Sequence, residues 1–354
     1  NTTFWFGITA AGTFYVDCGE GGTPVNNGGT PVNMSSINGN IGTINIESPR
    51  SDGKYNIYGC KYTDAGEHTI RFAGDATKYS TKFFQHTYDN DTFYPSYFVP
   101  AFGFNTTDNM LNTYVQEIHG SLGHVFGTID DGDTESQQPS FAYSFFDQQK
   151  LTGTIPSELF DGIHGKPIPG MFAGMFMDCP KLSGTIPGNL FSGISGSAEH
   201  LFGLTFHGCS GLSGTIPGDL FSGINGGANS MFAMTFKNCS GLTGIGDGLF
   251  DEIDTAAERM FWATFAGNSK LPSIPDGLFQ NVSGSATEMF RSTFQECSGL
   301  TGIGDGLFDK IDTAAEGMFR ATFAGNPNLK SIPDGLFQNV SGSATEMFTS
   351  TFQV

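Results

Sequence analysis

The chain has 354 residues and a formal net charge of −19, from 16 basic and 35 acidic side chains. A surface of that sign repels polyanions, which argues against nucleic acid and anionic lipid as partners. No run of 18 or more apolar residues occurs, so the sequence predicts no membrane insertion.

Residues 1–104 predict an all-β domain. The segments TFWFGITA, GTFYVDC, GTINIES, KYNIYGCKY and EHTIRFAG are aromatic or β-branched, or alternate apolar with polar residues, as half-buried strands do. A sandwich of this length fits the pattern. The first residues include neither an initiator Met nor a basic leader, which fits a mature exported chain and a shortened chain equally well.

Two segments of this part resemble the signature of PKD-type β-sandwiches, namely VDCGEGG (16–22) and CKYTDAGEHTIRF (60–72). The matching positions are Asp17, Gly19, Glu20, Gly21, Tyr62, Gly66, Thr69 and Ile70. Cys18 stands where that family has an aromatic residue, and Cys60 where it has His. Because the two positions face each other in such folds, the resemblance implies a Cys18–Cys60 disulfide, which extracellular sandwiches use. The alternative is a pair of buried free thiols.

Residues 83–104, FFQHTYDNDTFYPSYFVPAFGF, form a densely aromatic segment. It favours docking of the first domain against the next, and stacking on a sugar ring is the alternative. Residues 105–139 are predicted to be a connector with a degenerate first coil. His119 and His124 lie near the acidic stretch 130–133, but a solvated loop is favoured there over a metal site.

From about residue 140 the chain is periodic, with seven units of 29–31 residues and a partial unit at 140–151. Each unit carries Phe at three fixed offsets, which we call the LF, MF and TF pairs after the residues found there in most units. The Phe residues of the TF pairs are Phe176, Phe206, Phe236, Phe265, Phe294, Phe323 and Phe352. These rings are predicted to form a core ladder, because a unit that cannot cover its own apolar face is covered by its neighbours.

The phrase LSGTIPGNLF resembles the L-S-G-x-I-P phrase of plant leucine-rich repeats, and the longer unit with CSGL and TF resembles the bacterial BspA-type surface repeats. The resemblance implies an α/β leucine-rich-repeat solenoid of about seven coils over 140–354, after the all-β sandwich. In each coil, GLTGI is predicted to be a strand, PDGLFQNV a one-turn helix and SATEMFRSTF an amphipathic helix.

One register of the repeat carries either Cys or Asn. Its members are Cys179, Cys209, Cys239, Asn268, Cys297 and Asn326. Asn neither forms a disulfide nor replaces a thiolate ligand well, which argues against a metal site or disulfides here. The pattern favours a buried structural ladder whose side chains bond to loop backbone.

The last two-unit blocks, 240–296 and 298–354, differ at only eight positions. Four of the changes alter the chemistry strongly: Glu252 to Lys310, Arg259 to Gly317, Trp262 to Arg320 and Arg291 to Thr349. Since the core letters are kept, the pattern predicts that these positions lie on the outside.

No nucleophile, phosphate-binding or paired-carboxylate motif occurs, so neither an enzyme nor a cofactor is predicted. Asp254-Thr255-Ala256 and Asp312-Thr313-Ala314 resemble the D-T-A sites at which some bacteria O-glycosylate exported proteins, which makes Thr255 and Thr313 candidates for glycosylation.

The expected function is that of a non-enzymatic, exported surface protein that uses its solenoid to adhere to a protein or glycan. The alternative is a self-assembling subunit of an extracellular filament, sheath or surface layer, with copies of the chain stacked end to end. The final residues, MFTSTFQV, carry no polar cap, so either the native chain is longer than this sequence or another molecule covers the end. The second option favours the alternative, because end-to-end contacts propagate into filaments.

Overall fold

The structure is a computed structural model that describes residues 2–26, 39–84, 95–106, 110–111, 115–130 and 137–354. Its strands are β1 Thr2–Ile8, β2 Ala11–Asp17, β3 Thr23–Asn26, β4 Ile41–Ile46, β5 Asn56–Tyr62, β6 Arg71–Lys78, β7 Phe83–Phe84, β8 Tyr97–Phe98, β9 Phe102–Gly103, β10 Asn105–Thr106, β11 Met110–Leu111, β12 Gly214–Ile216 and β13 Leu242–Ile245. Part of the aromatic segment, at 85–94, and the acidic stretch 131–136 lie outside the described residues.

The N-terminal part consists of two antiparallel sheets that face each other. One has the strand order β3-β5-β1-β9 and the other β4-β2-β6. The ring of Phe6 in β1 meets the ring of Phe72 in β6 edge to face, with centroids 4.8 Å apart. Cys18, directly after β2, forms a disulfide with Cys60 in β5, and their Cα atoms are 5.5 Å apart. The disulfide therefore joins the two sheets.

The predicted α/β leucine-rich-repeat solenoid is wrong. No helix occurs among the described residues, and the predicted helices at 275–282 and 285–294 are series of turns. The predicted strand stack is also reduced: β12 and β13 pair in parallel, while other described units meet through single bridges such as Gly184↔Leu212 and Ser273↔Gly302. The repeat region is instead a stack of turn-rich units.

The reason lies in the backbone of the segment around each MF and TF pair, which we call the turn ribbon (170–178 in the first full unit). Met171 N–H donates to the Ile168 carbonyl within the unit, at 3.2 Å, whereas Phe172 N–H donates to the Leu201 carbonyl of the next unit, at 3.0 Å. This alternation continues along the ribbon. An α-helix would instead bond every N–H to the residue four before it.

Positive φ angles recur at every fourth residue of the turn ribbon. In the first full unit these residues are Gly170, Gly174 and Asp178, with φ of 64°, 60° and 58°. The equivalent positions of the next unit are His200, Leu204 and Gly208, with φ of 56°, 61° and 74°. A right-handed helix requires negative φ throughout, so this geometry excludes one.

The core of the stack consists of three columns of Phe rings. Rings of the TF column lie parallel within 9°, with neighbouring centroids 5.2–5.8 Å apart from Phe176 to Phe352. The LF column packs against the MF column, as in the pair Phe261–Phe279 at 4.6 Å. Each ring thus contacts its own unit and the units before and after it.

The N-terminal sheets cover the first unit of the stack. Ala101 N–H donates to the Ser140 carbonyl at 2.8 Å, and Phe104 N–H donates to the Ser144 carbonyl at 3.2 Å. The rings of Phe104 and Phe145 are 5.4 Å apart. One continuous apolar core runs from the sheets into the stack. We call residues 97–104, together with the two sheets, the N-terminal cap.

Candidate recognition surface

The turn ribbons have an outward side as well as the side that carries the Phe columns. A second apolar cluster lies there, separate from the main core, and Met177 packs against it. Its buried members are Leu204, Ala233, Met234, Trp262, Ala263 and Ala266. We call the outward side of the ribbons the outer ridge, defined by Met177, His200, Leu204, Met234, Arg259, Trp262, Glu288, Arg291, Arg320 and Glu346.

Trp262 is the central side chain of the outer ridge. The Arg259 guanidinium lies 5.9 Å from the indole centroid, and that of Arg291, from the next unit, lies 5.3 Å from it. Such cation–π contacts stabilise by about 0.5–2 kcal/mol. Trp262 was predicted to lie on the outside. It does lie on the outward side of the ribbons, but the prediction that it is exposed is wrong, because only 7% of its surface is accessible.

Glu288 connects the two arginines. Its Oε2 accepts from Arg259 Nε at 2.6 Å, and its Oε1 accepts from Arg291 Nη1 at 2.7 Å. Burial acts to raise the pKa of Glu288, but the hydrogen bond from Arg259 and the two guanidinium charges outweigh it and lower that pKa. The carboxylate is therefore charged at neutral pH and fixes both guanidinium groups beside the indole.

In block 298–354 the outer ridge carries different side chains over the same Phe columns. Gly317, Arg320 and Thr349 replace the two arginines and the Trp. Arg320 Nη1 pairs with Glu346 Oε2 at 2.8 Å, in a contact about half exposed to solvent. Three of the eight differences between the blocks thus meet at one place, which the sequence pattern alone did not show.

The Cys and Asn register forms a buried ladder. Each side chain donates to a Phe carbonyl of the preceding unit: Cys179 to Phe145, Cys209 to Phe176, Cys239 to Phe206, Asn268 to Phe236, Cys297 to Phe265 and Asn326 to Phe294, at 2.8–3.1 Å. Burial raises the pKa of Cys179, Cys239 and Cys297 to about 12. Neutral, bonded thiols of this kind are structural rather than reactive.

A second buried ladder was missed by the sequence reasoning. The Thr of each TF pair donates its hydroxyl to a Phe carbonyl of the preceding unit, as Thr293 does to Phe261 at 2.9 Å. The equivalent donors are Thr205, Thr235, Thr264, Thr322 and Thr351. The signal was present, because a Thr precedes this Phe in six of the seven full units, the exception being Met175 in the first.

The other candidate positions remain separate from the outer ridge. The candidate glycosylation sites Thr255 and Thr313 are exposed, and their hydroxyls donate to Asp254 and Asp312 at 2.7 and 2.8 Å. Nowhere in the part of the chain that the structure describes do three or more His, Cys, Asp or Glu converge to hold a metal ion. Among the same residues, no helical stretch has the length and hydropathy needed to traverse a bilayer.

Comparison of the chain with protein-family models, curated proteins and solved structures gave no match. The resemblances to PKD-type sandwiches and to BspA-type repeats therefore stay predictions.

Proposed function

We propose that the chain is a non-enzymatic, exported surface protein that recognises a protein or glycan through its outer ridge. One observation carries the proposal. Between the duplicated blocks every residue of the main apolar core is unchanged, while Trp262 and the two arginines that contact it, Arg259 and Arg291, are all replaced. A scaffold that keeps its main core and changes one cluster on the outward side of its ribbons is suited to presenting different contacts at equivalent places.

The chemistry of the outer ridge supports this role. Trp and Arg are the side chains that most often dominate the energy of protein interfaces. The position of Arg259 is also varied along the stack. Its equivalents are Gly170, His200, Ser230, Glu288, Gly317 and Glu346. A repeating backbone therefore carries a non-repeating row of side chains.

The Cys18–Cys60 disulfide supports export. Structural disulfides form and persist in oxidising compartments and are rare where thiols are kept reduced. The net charge of −19 helps to keep an exported chain with 35 Phe residues in solution.

The test replaces the outer-ridge residues of block 240–296 with their equivalents from block 298–354. The triple variant R259G/W262R/R291T carries the residues of the second block, and E252K, another difference between the blocks, is the matched control away from the ridge. Labelled wild-type chain is applied to a glycan array and to an array of extracellular proteins. We expect a ligand that the triple variant loses and E252K retains, with both variants melting as cooperatively as the wild type.

Equal binding by the triple variant and the wild type would place recognition elsewhere. Fibres that grow with protein concentration in negative stain, without a ligand on either array, would favour the self-assembling subunit instead.

A further inference from the structure

A continuous series of bonds links the disulfide to the repeat stack. Cys60 lies in β5, which pairs with β1 over the full length of both strands. The end of β1 pairs in turn with β9, at Ile8↔Phe102. Cys18 holds β5 to the end of β2 in the opposite sheet. The position of β9 therefore depends on the sheet that the disulfide fastens.

Strand β9 and its neighbours take the place of a preceding unit. Within the stack, the turn ribbon of each unit receives hydrogen bonds from N–H groups of the unit before it, as Leu201 does from Phe172. The first ribbon has no unit before it, and its Ser140 and Ser144 carbonyls receive the N–H groups of Ala101 and Phe104. The Ser144 hydroxyl returns a bond to the Phe102 carbonyl at 2.6 Å.

We propose that the Cys18–Cys60 disulfide is a redox gate on the stack: oxidation fixes the N-terminal cap, and the cap then orders the first units. In the oxidation step, the two thiols form one S–S bond and release two protons and two electrons. A small-molecule disulfide such as oxidised glutathione accepts the electrons by thiol–disulfide exchange and becomes two thiols. The first units thus become fully ordered only in an oxidising compartment.

The loss of order that follows reduction of the disulfide should decrease along the stack. Each unit contacts only its neighbours, so a loss of order at the cap is felt most strongly in the first unit and fades along the stack. The ladder cysteines report on this gradient, because Cys179, Cys209, Cys239 and Cys297 are all fully buried and free. A buried thiol is alkylated only when its unit opens, so the alkylation rate measures local opening.

The experiment compares the full chain with and without the disulfide. The rates at which iodoacetamide alkylates the four ladder cysteines are measured by peptide mass spectrometry in the oxidised wild type and in the C18A/C60A variant. We expect alkylation of Cys179 to rise at least about tenfold in the variant, a change within the usual stabilisation by a disulfide. The rise should be smaller at Cys209 and absent at Cys297.

A matched control and a second preparation keep the test decisive. C239N keeps the disulfide and changes only a ladder position that accepts Asn elsewhere, so its Cys179 rate should equal that of the wild type. If C18A/C60A fails to fold, the same rates are measured on wild type whose disulfide is reduced after folding. Unchanged alkylation rates at all four thiols, or an equal rise at all four, would contradict the proposal that the disulfide orders the first units.

Discussion

At the scale of single residues, the ladder position explains how Cys and Asn alternate in one buried register. What the site requires is a short side chain with a donor that reaches a Phe carbonyl of the preceding unit. Cys239 does so with its thiol at 2.9 Å, and Asn268 with its amide at 3.0 Å. Volume and donor together, rather than thiol chemistry, define the position.

The first prediction separates these two requirements at Cys239. Cys239→Asn should change the free energy of unfolding by less than about 1 kcal/mol, because the bond to Phe206 is kept. Cys239→Leu loses the donor and overfills a closed site, and should cost about 1–3 kcal/mol. Urea unfolding of the three proteins measures both values. Equal costs for Asn and Leu would contradict the role of the hydrogen bond.

The second prediction concerns pH. Burial raises the pKa of the Cys239 thiol from an ordinary 9.0 to about 12 in the folded chain. Between these values the unfolded chain binds fewer protons than the folded chain, so the free energy of unfolding falls as pH rises from about 9 to about 12. Urea titrations across this range should show the fall. Its slope should be smaller in Cys239→Asn, and an unchanged slope would contradict the assignment.

At the scale of the element, the turn ribbon depends on the Phe columns for its stability. Phe294 is fully buried and stacks on Phe265 at 5.2 Å and on Phe323 at 5.8 Å. Because the unit has neither a helix nor a continuous sheet around this ring, these ring contacts and the bonds between units hold it in place.

The third prediction is therefore a large effect of one ring. Phe294→Ala should lower the free energy of unfolding by about 3–5 kcal/mol, as large truncations in a core do. Phe294→Leu fills most of the space and should cost less. Thermal and urea unfolding measure the two values, and a Phe294→Ala protein as stable as the wild type would place the ring outside the core.

The fourth prediction tests the left-handed positions. Ala321 has a φ of 53°, which costs an ordinary residue about 1–2 kcal/mol relative to glycine. Ala321→Gly removes that cost, but glycine loses more backbone entropy on folding, which destabilises the folded chain by about 0.5–1 kcal/mol. The substitution should therefore stabilise the protein slightly or have no net effect. Ala321→Val should destabilise clearly, since a β-branched residue fits this region worst. Melting temperatures in the opposite order would contradict the backbone geometry.

These positions also show what the sequence could and could not predict. The period, the Phe columns and the Cys/Asn register follow from spacing alone, because identical offsets in stacked units place identical residues above one another. The helices were predicted from apolar spacing, and the structure has none because residues with positive φ recur along each turn ribbon. Arg259, Ala263 and Glu288 are among these residues, as well as glycines. Those residue types are ordinary helix formers, so no local signal marked the turns.

The outer ridge was only partly predictable for a similar reason. Comparison of the two blocks identified Arg259, Trp262 and Arg291 as outward positions. Their convergence on Glu288 depends on the distance between neighbouring units, which spacing within one unit does not contain. Trp262 is buried by these guanidinium groups together with the second apolar cluster, of which it is a member.

At the scale of the whole molecule, the sheets and the stack form one structure rather than two linked domains. The bonds from Ala101 and Phe104 and the shared core make the N-terminal cap the first layer of the stack. A further aromatic contact supports this union, since the ring of Tyr97 lies 5.2 Å from that of Tyr143 in the first unit. The cap therefore supplies both the hydrogen bonds and the apolar cover that a preceding unit would supply.

The fifth prediction follows from this union. Residues 140–354 alone lack the cap, so the Phe141 and Phe145 rings and the Ser140 and Ser144 carbonyls lose their cover. We expect this fragment to bind a hydrophobic dye strongly and to self-associate in light scattering, because large exposed apolar patches promote association. The matched control is 1–325, which lacks one unit but keeps the cap. It should scatter as the full chain does, since removing a unit exposes an equivalent face of the next one. A monomeric, dye-free 140–354 fragment would show that the stack does not need the sheets.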